Sequence, residues 1–198
     1  MSFIIAGLGN PGEEYQDTRH NVGRMVVDAF VKAQDFPALE MSKVLKALTS
    51  EGKLKKEKVV VLEPETFMNK SGESVAKLVK TKKAAASLIV VHDDLDLPLG
   101  RLKVSFNKSS GGHRGVESVI KAVKTQEFIR VRVGISPETA GGKLKKPQGD
   151  ALVNDFIVDP FKKAEADIMK KVAKRGADAL VAIILEGRDK AMGEFNSL

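Results

Sequence analysis

The sequence has no cysteine, no tryptophan and a single tyrosine, and aromatic residues make up only 5% of it. Without thiols there is no disulfide framework, no thiolate zinc site and no cysteine nucleophile. Long hydrophobic runs are also missing, and none approaches the ~20 residues of a bilayer crossing. Met1–Asn10 has neither the basic start nor the small-residue cleavage site of a secretory signal. These absences predict a cytoplasmic protein with no membrane partner. Acidic residues are scarce in one place: residues 101–148 carry eleven Lys/Arg and only Glu117, Glu127 and Glu138. That stretch is +8 in a chain of net charge +7, so the other 150 residues sum to −1. One basic stretch in an otherwise neutral chain suits a polyanion, because neutralising phosphates releases counterions. A solvated lysine-rich face would have the same composition. Phe106 and Phe128 are too few aromatics to make a base-stacking platform there.

What is present points to one α/β domain over residues 1–198: 42% of residues are hydrophobic and 30% charged, as in ordinary globular chains. Phe3–Ala6, Val59–Leu62 and Leu88–Val91 are short and wholly apolar, like strands buried on both faces. Leu102–Phe106 and Ile129–Val133 alternate, like strands with one exposed face. Val22, Met25, Val26, Ala29, Phe30 and Ala33 form one helical stripe, with Asn21 placed as its N-cap. Further helices are predicted over Ser71–Lys80, Gly115–Lys124 and Ala164–Leu185, with loops at 107–115 and 136–149. The alternation implies a mixed, twisted sheet covered by helices on both faces.

Several segments could carry chemistry. Gly7-Leu8-Gly9-Asn10-Pro11-Gly12 spells the dinucleotide fingerprint after the first strand, but Pro11-Gly12 makes a turn where that motif opens a helix. A tight turn that leaves the Asn10 amide free fits better. His20 stands at the entrance to the first helix, where it serves either as a neutral base or simply as part of the helix start. His92-Asp93-Asp94-Leu95-Asp96 ends a strand, where open α/β sheets bind ligands. It lacks the second histidine or spaced carboxylates of a metal site, but one carboxylate there could orient a histidine from another loop. Phe67-Met68-Asn69 precedes a helix as either a staple and cap or a substrate-facing amide. Ser109–Gly115 is a small-residue loop able to approach a phosphate through its backbone.

Together these segments resemble the bacterial-type peptidyl-tRNA hydrolases. The resemblance runs through Gly7–Gly12, Tyr15, Thr18–Asn21, Thr66–Gly72, His92–Asp96, Gly111–Gly115 and Arg130–Ile135, and reaches the tail at Ala191-Met192 and Phe195-Asn196. It implies hydrolysis of the ester joining a peptide to the terminal ribose of tRNA, without metal or other cofactor, by a monomer with no obligate protein partner. It implies His20 as the base, Asp93 as its partner and Asn10 as a substrate-positioning amide. Tyr15, Phe67, Met68, Asn69 and Arg114 correspond to tRNA- or peptide-contacting positions, and Lys103 and Arg132 to the phosphate-binding stretch. Arg114 stands where the family usually has Asn, and Ser105 where it often has a second Lys. The rival reading is an RNA-binding relative that has kept the fold without catalysis. With no cysteine and no nucleophile-elbow serine, direct attack by water is favoured over an acyl-enzyme.

Overall fold

The computed structural model describes residues 2–197. In chain order the elements are β1 (Ser2–Gly7), α1 (Val22–Ala33), β2 (Glu40–Ser42), β3 (Ala47–Leu54), β4 (Glu57–Pro64), α2 (Gly72–Leu78), α3 (Lys82–Ala85) and β5 (Leu88–Pro98). They continue with β6 (Leu102–Phe106), α4 (Arg114–Val123), β7 (Ile129–Ser136), α5 (Asp150–Val158), α6 (Lys163–Glu186) and α7 (Arg188–Phe195). Short 3-10 turns cover Glu13–Tyr15, Arg19–Asn21 and Met68–Lys70. Among the described residues the strands form one sheet in the order β2-β3-β4-β1-β5-β7-β6. β4, β1, β5 and β7 run parallel, with antiparallel β3 and β2 at one edge and β6 at the other. This is the mixed sheet that the alternation of apolar runs implies.

The period-two pleat of the central strands sorts their side chains between two cores. Ile5 packs with α1 and α6 on one face, while Ile4 and Ala6 pack with α2 and α4 on the other. Burial is worth roughly 1.5–3 kcal/mol for each Val, Leu or Ile, so reversing a strand's faces would be costly. Helix α1 lies so close to the sheet that a Cβ on Gly23 would sit 2.6 Å from the Leu8 carbonyl oxygen and closer still to that of Val91. Only glycine fits there. The contact presses the entrance of α1 against the carboxyl ends of β1 and β5, where ligands bind in open α/β sheets.

Several boundaries differ from expectation. β5 does not end at the apolar run Leu88–Val91 but continues through His92–Asp96 to Pro98, with Asp93 paired to Val133 of β7. The helix expected over Ser71–Lys80 stops at Leu78. Asn21 does not cap α1 through its side chain. The elements not anticipated are β2, β3, α3, α5 and α7. β3 lies between turns whose left-handed residues are Lys46 and Lys55, so no Gly or Asn marks them. α5 contains no buried residue and therefore shows no core-facing stripe.

Candidate active site

His20, in the turn entering α1, and Asp93, in β5, meet although 73 residues separate them. Nδ1 of His20 lies 2.9 Å from Oδ1 and 3.1 Å from Oδ2 of Asp93, and both side chains are buried. The carboxylate after the apolar run Leu88–Val91 therefore meets a histidine delivered by another segment. A second histidine joins it, one the sequence reading left in the glycine-rich loop. Nε2 of His113 is 2.8 Å from the same Asp93 Oδ1. His113 is the N-cap of α4, and its Nδ1 accepts the Val116 N–H at 3.2 Å.

These partners assign the protons. Val116 can only donate, so Nδ1 of His113 is bare and its Nε2 carries the hydrogen given to Asp93. Asp93 accepts from His20 Nδ1 as well, which leaves the lone pair of His20 on Nε2. Burial alone would raise the Asp93 carboxyl, but the two histidines and the hydrogen bonds they donate outweigh it and hold the group far below the usual carboxylate range. Donor atoms of His20, Asp93 and His113 lie within 4.8 Å of one another, near enough to share a metal ion. However, a metal would need a bare lone pair on His113 Nε2, the atom that the α4 cap keeps protonated. The three residues therefore suit a hydrogen-bonded set better than a ligand set.

The remainder of the His92–Asp96 run diverges. The Nδ1 of His92 bonds the Asp93 carbonyl at 2.6 Å, and its ring lies edge-on to His113 at 4.7 Å. Burial, and next the neighbouring His113, hold His92 well below the ordinary imidazole range, so it is neutral. Asp94 pairs with Arg132 at 2.6 Å and Asp96 with Lys146 at 2.6 Å.

Asn10, on the loop after β1, is held from two sides. Its backbone N–H donates to Asn21 Oδ1 at 2.8 Å, and Asn21 Nδ2 donates to its carbonyl at 2.9 Å. The side chain of Asn21 thus grips Asn10 instead of capping the helix. The Met68 N–H donates to Asn10 Oδ1 at 2.9 Å, so the Asn10 NH2 is the end left to donate elsewhere. The Met68 side chain is only 4% exposed and packs with Leu8 and Val116 in the core. What Met68 offers toward the Asn10 side is its backbone N–H, while its side chain lies in the core.

His20, Asp93 and His113 line a cleft of about 290 Å³, walled by Asp94–Asp96, Ser110–Arg114, Lys146, Pro147 and, from α5, Val153, Asn154 and Ile157. Asn10 is not among the residues lining it, but is joined to it through Asn21, the neighbour of His20. Arg114, exposed at the start of α4, borders both this cleft and a shallower depression of about 470 Å³ that contains Asn69. Phe67 is 58% exposed, Tyr15 half-buried in its turn, and Lys103 exposed on edge strand β6, where it pairs with Arg132 in register. Ser105, on the same strand, is buried opposite Arg130. The basic stretch thus forms the β6–β7 edge and α4, beside the cleft. A larger groove of about 1140 Å³, next to α1 and α6, is lined by Arg24, Asp28 and Glu63 and contains neither His20 nor Asp93.

Comparison with known proteins agrees with this geometry. A family model described as peptidyl-tRNA hydrolase matches residues 4–198. The chain is similar to the peptidyl-tRNA hydrolase of Carboxydothermus hydrogenoformans, 42% identical over 195 residues and 98% of each chain. It is also similar to that of Brevibacillus brevis, 40% identical over 196 residues and again 98% of each. In three dimensions it resembles the crystal structure of the Acinetobacter baumannii peptidyl-tRNA hydrolase with a TM-score of 0.86 at 27% identity, covering 98% of this chain and 94% of that one. With a buried His–Asp pair joining the entrance of α1 to β5, and this likeness along its whole length, the chain belongs to the peptidyl-tRNA hydrolase family, enzymes that hydrolyse peptidyl-tRNA.

Proposed function

We propose that His20 is the general base of this hydrolysis and that Asp93, itself held by His113, orients it. The observation carrying this reading is the double acceptance by Asp93, which assigns the His20 lone pair to Nε2. A water hydrogen-bonded to Nε2 loses its proton as it attacks the ester carbonyl carbon. The imidazolium so formed is stabilised by Asp93, which stays ionised. The NH2 of Asn10 donates to the carbonyl oxygen as it becomes an oxyanion. Collapse of the tetrahedral intermediate breaks the bond to the ribose oxygen, which takes the proton back from His20. The products are a peptide carboxylic acid and tRNA with its terminal hydroxyl restored.

Lys103 and Arg114 bind the acceptor arm through phosphates, with Arg132 contributing beside its Asp94 partner. Shape and backbone dominate such contacts, as is usual for paired RNA. Tyr15, Phe67 and Asn69 contact the terminal nucleotide or the peptide. The enzyme acts as a monomer in the cytoplasm, where its substrate arises, and takes no cofactor. Among the described residues, no helix is long and apolar enough to cross a membrane. Incubation with an N-blocked aminoacyl-tRNA and with its unblocked counterpart tests the reading. Release of tRNA from the blocked ester alone is expected. Binding of both without turnover would instead support the non-catalytic RNA-binding alternative.

A further inference from the structure

The residue before the proposed base has an arrangement that the mechanism does not use. The Arg19 side chain is 5% exposed and its guanidinium is aimed away from the cleft, at the junction of α5 and α6. Nη1 donates toward the carbonyl oxygens of Phe156, Asp159 and Pro160 at 3.2–3.3 Å, and Nη2 meets Glu165 Oε2 at 2.8 Å. The same guanidinium lies 4.4 Å from the Phe156 ring centroid and 5.5 Å from that of Phe161. One planar fork thus satisfies three carbonyls and a carboxylate between two aromatic rings. The point charge of a lysine cannot reproduce that geometry.

What it grips is a wall of the cleft. α5 contributes Val153, Asn154 and Ile157 to the cavity opposite Asp94 and Asp96. Yet α5 has no buried residue of its own, Leu152 is 60% exposed, and the element it packs against most is the turn Arg19–Asn21. Only Phe156 and Ile157, both half-buried, reach the core, so little apolar burial holds α5 in place. We propose that Arg19 is a positioning residue that fixes α5 as a cleft wall, and so sets the width available to the acyl part of the substrate. This inference rests on the reading of the cleft as the hydrolytic site.

The test compares wild type with Arg19→Lys and Arg19→Met by hydrogen exchange and by kinetics on an N-blocked aminoacyl-tRNA. Backbone bonds from Arg19 N to Asp159 O (3.2 Å) and from Phe161 N to Asp17 O (3.1 Å) do not involve the side chain, so the chain should still fold. Amides of α5 are expected to exchange at least tenfold faster in both variants, with those of β1 and β5 unchanged. KM should rise at least tenfold while the acidic limb of the pH–rate profile stays in place. If Arg19→Met fails to fold, Glu165→Gln loosens the same junction from its other side and should speed α5 exchange alone. Unchanged α5 exchange would overturn the proposal. So would a moved acidic limb, which would mean that Arg19 acts on His20 through its charge. Equal acceleration across the sheet would show a general structural role and also overturn it. A wild-type chain without ester hydrolysis would refute the catalytic reading and leave the exchange result standing, so the two failures are distinguishable.

Discussion

The backbone N–H of Val116 decides which nitrogen of His113 carries the proton. It occupies Nδ1, so the hydrogen sits on Nε2 and is given to Asp93. One side chain therefore serves as both the cap of a helix and a hydrogen-bond donor to the Asp93 carboxylate, and these duties separate by substitution. His113→Ala should lose both, costing about 1 kcal/mol for the cap and lowering kcat. His113→Asn restores an acceptor for Val116 but is too short to reach Asp93. Its melting temperature should recover while kcat stays low. If kcat recovers with stability, the bond to Asp93 is irrelevant to turnover.

His20→Ala should reduce kcat by at least ~10², the low end for general base catalysis. Single-turnover measurement on a blocked aminoacyl-tRNA checks this without interference from product release. A rate within a few-fold of wild type would remove His20 from the mechanism.

Asp93→Asn should be more damaging than lost charge alone suggests. An amide NH2 facing His20 would donate to Nδ1 and move the ring hydrogen onto Nε2, the atom that should be bare. Losses of about 10²–10⁴ in kcat are expected, the upper figure matching the tautomer error in a Ser-His-Asp triad. Residual activity should show its acidic limb at lower pH, because an imidazolium without a counter-charge is a stronger acid. An acidic limb that stays where it was would mean that Asp93 serves another group.

At the edge of the cleft, Arg114→Asn exchanges a long charged arm for a compact amide and should keep kcat within about tenfold, or 1.4 kcal/mol of barrier, while altering KM. Lys103→Ala should raise KM and reduce the log–log salt slope of binding by ~0.7–0.9, as one lost phosphate contact does. Arg132→Ala should do more, since it also leaves Asp94 without its partner. Equal loss with a minimal esterified nucleoside would place these side chains in the chemistry instead.

Stability should carry the signature of Glu63, on β4. Burial first, and then the neighbouring Asp28, push its carboxyl up to about 8, since Arg24 reaches Glu65 at 2.8 Å but Glu63 only at 3.9 Å. The native chain keeps a proton on Glu63 that the unfolded chain releases above its ordinary carboxyl value. The stabilisation is therefore whole at low pH and is lost as pH rises toward 8. Glu63→Gln should flatten that fall and be more stable than wild type at pH 8, by on the order of 2–4 kcal/mol. Denaturant unfolding at pH 5 and pH 8 checks it. A pH dependence identical in the two proteins would show Glu63 to be ionised throughout.

Legibility from sequence followed burial. β1, β4, β5 and α1 announce themselves because their apolar side chains all enter a core. β3 and α5 do not, since β3 turns on left-handed lysines and α5 buries no residue completely. In the cleft, His20 was readable from its place at the entrance of α1, and Asp93 because it follows directly on the apolar run Leu88–Val91, although the strand itself continues past it. His113 and Asn21 were not, because each occupied a position with an adequate local explanation. His113 reads as part of a small-residue loop and Asn21 as a helix cap. Only the tertiary contacts, to Asp93 and to Asn10, give them their second partners.

The clamp at Arg19 also has a meaning for synthesis. Arg19 precedes Glu165 by 146 residues, whereas His20 precedes Asp93 by 73. A growing chain therefore holds His20, Asp93 and His113 well before it holds Glu165. While it is itself esterified to tRNA and short of α6, it lacks Glu165, the carboxylate arm of the junction that holds α5. An enzyme whose substrate is an unfinished protein on tRNA thus comes of age only near the end of its own translation.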